Sequence, residues 1–177
     1  MDMRSWLGVT SRQAFQFFFE HLRDVTTTAD TPTNELLYNA SVLAHFATTS
    51  TASEDTFPST PASLTTVFNL FVMDRSMMRD PEIMEIAGAQ CLLLTGFFQD
   101  QQKGRHQVDW YADLGMAFYS GAASAGRDPA RSKLMGTMAR RFDFWRVHQH
   151  RLARELRDEA EFTAYGIRPA AGPDVLG

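Results

Sequence analysis

Apolar residues recur along most of this chain at the three- and four-residue spacing that gathers them on one face of an α-helix. Phe15, Phe18, Phe19 and Leu22 form one series, Leu36, Ala40, Leu43, Ala44 and Ala47 a second, and Leu64, Val67, Phe68 and Phe71 a third. Another runs from Trp110 or Tyr111 through Leu114, Phe118 and Ala122, and no alternating strand pattern of useful length competes with any of them. Start signals fall between the series. Thr31-Pro32, Asp80-Pro81 and Asp128-Pro129 each pair a capping side chain with a proline that needs no amide donor, Ser59-Thr60-Pro61 is a less regular fourth, and Asp109 before Trp110 a fifth. The pattern predicts helices over 11–24, 32–51, 61–78, 81–103, 109–125 and 129–160.

One of these is apolar on all sides. Ile83, Ala87, Cys91, Leu94 and Phe98 share a stripe, and Leu92, Leu93 and Phe97 fill the rest of its second half, so it must be surrounded by protein. With the helix over 109–125 it forms the expected centre, joined by the polar turn Gln101-Gln102-Lys103-Gly104-Arg105, with Gly104 as the left-handed terminator. The expectation is an all-α, single-domain bundle of about six helices around two central apolar helices, covering residues 1–162. Residues 163–177 include Pro169, Gly172 and Pro173 and read as a loose or partner-docked tail, and residues 48–60, rich in Thr and Ser, as the one long surface loop.

Composition sharpens the compartment more than the fold. A chain of 177 residues with 44% apolar residues and 14 Phe can build its own core. Cys91 is the only cysteine, which rules out an intramolecular disulfide and multi-cysteine zinc or iron–sulfur sites and suits a reducing compartment. No signal-peptide pattern opens the sequence, and the longest apolar stretch, Cys91 to Phe98, is under half a membrane span, so the expected address is cytoplasmic with no membrane contact.

Candidate chemistry is sparse. His148 and His150 point to nearly opposite sides of a helix, and the residues three before the five histidines are Phe18, Val42, Lys103, Trp145 and Val147, none of them the Glu of a di-iron pair. Neither a His-Glu-x-x-His pattern nor a nucleotide-binding glycine pattern is present, and Ser120-Gly121 is not a nucleophile elbow, so no metal and no cofactor is expected. His45, Cys91, Trp110, Tyr111 and Tyr119 could gather in the interior as a ligand pocket; the competing reading, which we favour, is ordinary core with a hydrogen-bonded histidine.

Charge supplies the most unusual feature. Residues 131–157 hold eight arginines and lysines against two carboxylates, a net +6 in a chain whose net charge is −4. The apolar stripe there runs Leu134, Met138, Phe142, Trp145, Leu152 and Leu156, with Gln149 interrupting it. The arginines either pair with the acidic remainder of the fold or form a docking face for an acidic protein surface or a second copy, comprising Arg140, Arg141, Trp145, Arg146, His150, Arg154 and Arg157, with Phe144 or Trp145 as anchor. A sequence pI near 5.7 and the lack of a recognised nucleic-acid motif argue against nucleic acid.

The run Cys91-Leu92-Leu93-Leu94-Thr95-Gly96-Phe97-Phe98, followed by Val108-Asp109-Trp110-Tyr111 and Leu114-Gly115-Met116-Ala117-Phe118-Tyr119, resembles a group of uncharacterised bacterial all-helical proteins. Their pattern is Gly-Phe-Phe, then Val-Asp-Tyr-Tyr, Leu-Gly and Ala-Tyr; Trp110 and Phe118 depart from it. The resemblance covers roughly residues 36–122 and implies a bacterial origin and a helical core, with no activity attached. The functional expectation is therefore a non-enzymatic bacterial cytosolic protein acting through protein contacts as adaptor, regulator or assembly subunit; the alternative is a sensor or enzyme with a small-molecule site inside the bundle.

Overall fold

Two aspartates start their helices as their sequence predicts. In the computed structural model, which describes residues 11–52, 79–102 and 104–164, Asp80 Oδ1 accepts from the amides of Glu82 at 2.9 Å and Ile83 at 3.3 Å. Asp128 Oδ1 likewise accepts from the Ala130 amide at 3.0 Å, with proline following both caps. The described helices are α1 (Ser11–Val25), α2 (Thr33–Ala52), α3 (Pro81–Thr95), α4 (Arg105–Ala125), α5 (Pro129–Arg140) and α6 (Phe142–Ala164), with a 3-10 turn at Gln99–Gln101. No strand occurs among the described residues. The expected helix over 61–78, its Ser59-Thr60-Pro61 start, residues 53–60 of the expected loop and residues 165–177 of the expected tail lie outside them.

Several boundaries differ from the sequence reading. At Thr31-Pro32 the helix opens one residue later, because the Pro32 carbonyl takes the first amides, from Glu35 at 3.1 Å and Leu36 at 3.2 Å, while the Thr31 hydroxyl donates to Ala29 O. Residues 48–51, which fall in both the expected helix over 32–51 and the expected loop over 48–60, are helical, and α2 ends at Ala52. The first central helix stops at Thr95 rather than 103, and Gly96, not Gly104, closes it, its amide donating to Leu92 O at 2.8 Å. A Cβ at Gly96 would sit 2.9 Å from Leu92 O, 3.0 Å from Gln149 Cβ and 3.1 Å from Arg146 Cα, so glycine eases the close crossing of the α6 backbone there. Gly104 is extended instead and opens α4, four residues before the expected start at Asp109.

The expected single helix over 129–160 is divided at Arg141 (φ −104°, ψ 20°) into α5 and α6. Amide bonding carries on through the division, from Arg141 N to Thr137 O at 2.9 Å and from Trp145 N to Arg141 O at 3.1 Å. The buried stripe is continuous as well: Met135, Met138, Phe142, Trp145, Gln149 and Leu152 are all closed to solvent.

The bundle packs α3 along α4, α4 against α5, and α1 against α2, with α6 lying across α1, α3 and α4. The all-round apolar character read in α3 is borne out, since Met84, Ala87, Gly88 and every residue from Cys91 to Thr95 are buried. Close approach at the centre depends on Gly115 of α4, where a Cβ would stand 2.5 Å from the Phe142 ring and 2.8 Å from Cys91 Cβ. Thr95 lies in the same apolar interior and satisfies its hydroxyl by donating to Cys91 O at 2.8 Å.

Candidate functional site

Most of the positive charge of the last two helices is consumed within the fold. Arg131 of α5 grips both oxygens of Glu85 on α3, its Nε bond measuring 2.9 Å. Arg141 Nε lies 2.9 Å from Glu35 Oε2, with the guanidinium carbon 4.2 Å from the Phe144 ring centre. Arg146 pairs with Asp143 at 2.6 Å, and Arg151 with Glu155 at 2.9 Å. Asp100, on the 3-10 turn, takes His150 Nε2 at 2.7 Å on one oxygen and Arg157 Nη1 at 2.9 Å on the other. The hydrogen bond from His150, then that from Arg157, holds the Asp100 carboxyl below its ordinary range.

Of the seven residues expected to dock a partner, two remain as uncommitted cations on the outside. Arg154 is exposed and makes no ion pair among the described residues, and Arg140 donates only to Thr137 Oγ1. Trp145 is corrected outright as an anchor for a partner: it is 0% exposed, and its indole N–H donates to Glu35 Oε2 at 2.7 Å. Arg141 is turned inward to the same carboxylate.

That carboxylate is the centre of a site the sequence reading missed. Glu35, 2% exposed, sits in the first turn of α2 and receives Trp145 and Arg141 from the far end of the chain. One turn later, Asn39 donates through Nδ2 to Glu35 O at 2.9 Å and accepts at Oδ1 from Gln149 Nε2 at 3.0 Å. Glu35, Asn39, Trp145 and Gln149 thus tie α2 to α6 through buried polar bonds, and Gln149 Oε1 finds no donor among the described residues. Its signal in the sequence was the Glu35/Asn39 spacing of four on the apolar face of α2, opposite a stripe broken by Gln149.

Of the five residues proposed for an interior pocket, Trp110 and Tyr111 pack ring on ring at 5.0 Å and Cys91 lies within electrostatic reach of Tyr111 and Tyr119, but His45 and Trp110 are on the outside. Cys91 and Tyr119 are buried, Tyr111 is half-buried, His45 is on the exposed side of α2, and Trp110 is 47% exposed. Tyr119 instead shares a hydrogen bond with Tyr38, hydroxyl to hydroxyl at 3.2 Å, and Tyr38 stands beside Glu85 and under the Arg131 guanidinium. Burial raises both phenols well above their ordinary range, and burial pushes the Cys91 thiol up to about 12. Three acids held neutral at physiological pH in a packed interior are poor nucleophiles and good packing groups.

The exposed chemistry is amphipathic. On the outside of α5 and α6, Arg140, Val147 and Arg154 recur every seven residues, Val147 being 56% exposed. On the outside of α4, Trp110, Asp113, Ala117, Ser120 and Ser124 recur at steps of three and four, all exposed. No group of three or more His, Cys, Asp or Glu residues able to hold a metal occurs among the described residues, and no described helix is long and apolar enough to cross a membrane. Comparison with known proteins returns no match, whether to a family model, a curated protein or a solved structure.

Proposed function

We propose that this chain is a non-enzymatic bacterial cytosolic protein that works through protein contacts, as an adaptor, regulator or assembly subunit, and that it docks an acidic surface with the outside of α5 and α6. One observation carries the reading: Arg140, Val147 and Arg154 form an exposed stripe while neighbouring Arg131, Arg141, Arg146, Arg151 and Arg157 are held by carboxylates of the same chain. A seven-residue step drifts only about 20° around a helix, so Val147 and Arg154 of α6 face one way, and Arg140, exposed at the end of α5 just before the division at Arg141, offers a second guanidinium fork. The bacterial origin rests on the resemblance of the α3–α4 run, and the cytosolic address on the single, buried cysteine.

The test is native mass spectrometry of the gently purified protein beside its Arg140→Glu/Arg154→Glu variant. The reading expects a retained polypeptide that the double variant loses while its helical circular dichroism is unchanged. Retention at the same stoichiometry after the charge reversal would contradict it.

A further inference from the structure

The outside of the molecule carries two stripes of opposite character that do not meet within one chain. Along α5 and α6 run Arg140, Val147 and Arg154; along α4 run Trp110, Asp113, Ala117, Ser120 and Ser124, with Asp109 beside Trp110. Asp109 and Asp113 are exposed and make no ion pair among the described residues, as is also true of Arg154. Trp110 to Ser124 spans about 21 Å of α4 and Val147 to Arg154 about 10 Å of α6, with Arg140 at the end of α5 beyond the division at Arg141. Each stripe has charge at its ends or at one end and a small or medium apolar side chain, Val147 or Ala117, at its midpoint.

We propose that the partner of the α6 face is a second copy of this chain, the outer stripe of α5 and α6 docking antiparallel along α4 of the other molecule. This rests on the protein-contact reading above and names its partner. In that register Arg154 reaches Trp110 between Asp109 and Asp113, gaining a cation–π contact and two carboxylates, and Val147 lies on Ala117. The side chains of Ala117, Ser120 and Ser124 are small enough to admit a neighbouring helix closely. At the far end, Arg140 comes to Ser124 and to the exposed carbonyl end of α4, where a cation is favoured. The contact joins two different surfaces, so it closes when formed twice across a two-fold axis or around a ring, and otherwise propagates. It covers far less than the roughly 1,600 Å² of a standard stable complex, so the association is weak and salt-sensitive.

Sedimentation velocity tests this on the full chain, from about 10 μM to about 1 mM protein, at about 50 mM and about 500 mM salt. The proteins compared are wild type, Asp113→Arg, Arg154→Asp and an equimolar mixture of the two variants. Wild type should associate, and by at least about tenfold less in high salt; each variant alone should be monomeric, since like charges then face each other. The mixture should associate again, because each chain supplies the charge its partner needs. Asp113→Asn and Arg154→Gln, which remove charge without reversing it, should weaken association without abolishing it, and circular dichroism checks that every variant is folded. Wild type that stays monomeric throughout, variants that associate like wild type, or a mixture no better than its components would each overturn the proposal. A monomer that still retains an acidic polypeptide through α6 would overturn the second copy as partner and leave the protein-contact reading standing; a monomer retaining nothing would remove both.

Discussion

The two sides of α6 use the same residue types to opposite ends. Inward, Trp145 and Arg141 converge on Glu35, Gln149 bonds Asn39, and Phe142 and Leu152 fill the remaining space; only Gln149 Oε1 and Arg141 Nε, the latter in ion-pair contact with Glu35, make no hydrogen bond there among the described residues. Outward, Arg154 has no ion-pair partner among the described residues and Val147 is exposed. An arginine whose carboxylate is supplied by the fold contributes to stability, because removing either partner strands a buried charge; one without a carboxylate is available for a surface that supplies it. Net charge alone would have assigned both to one face.

Truncating the inner face should have the largest effect. Trp145→Ala removes a fully buried indole and leaves Glu35 with Arg141 alone, and should lower unfolding free energy by about 3–5 kcal/mol in urea titrations. Gly115→Ala comes next: its methyl would press on the Phe142 ring and on Cys91 Cβ, which cannot swing away, so a loss of about 1–3 kcal/mol is expected from thermal melts.

Between the faces lies the Asp100 clamp, whose pairs are partly solvated and together contribute up to about 1 kcal/mol. Because the folded carboxyl titrates below its ordinary value, the clamp's contribution is present above the unfolded pKa of about 4 and disappears as pH falls through the folded one. Wild type should therefore exceed Asp100→Asn in stability at pH 6, and the gap should shrink below about pH 4. A gap constant down to pH 2 would break the assignment. The outermost change, Arg154→Ser, should alter stability by no more than about 0.5 kcal/mol.

The inner face was only half legible in the sequence. Its apolar stripe from Met138 to Leu152 could be read directly, as could the Asp-Pro starts and the all-round apolar α3, because these depend on residues a few positions apart. Glu35 could not: a glutamate in a helix's first turn ordinarily complements the macrodipole, and only Trp145, 110 residues away, makes it a buried acceptor. The division at Arg141 carries no proline or glycine to announce it. Choosing Gly104 over Gly96 as terminator failed similarly, since local turn chemistry favoured one glycine and the close crossing of α6 the other. Among the surface charges, the sequence counted arginines and the fold decided which ones had carboxylates.

The division of α6 is tested most directly by urea unfolding of Trp145→Phe, Arg140→Glu/Arg154→Glu and the combined variant. Trp145→Phe keeps an aromatic ring but removes the indole donor from Glu35 and the volume of the five-membered ring, so it should lose about 1–3 kcal/mol. The outer double reversal should change stability by no more than about 0.5 kcal/mol, and the combination should equal the sum within the same margin. An outer reversal as damaging as the inner change, or a combined effect far from the sum, would contradict the account by showing that both faces belong to one structural network.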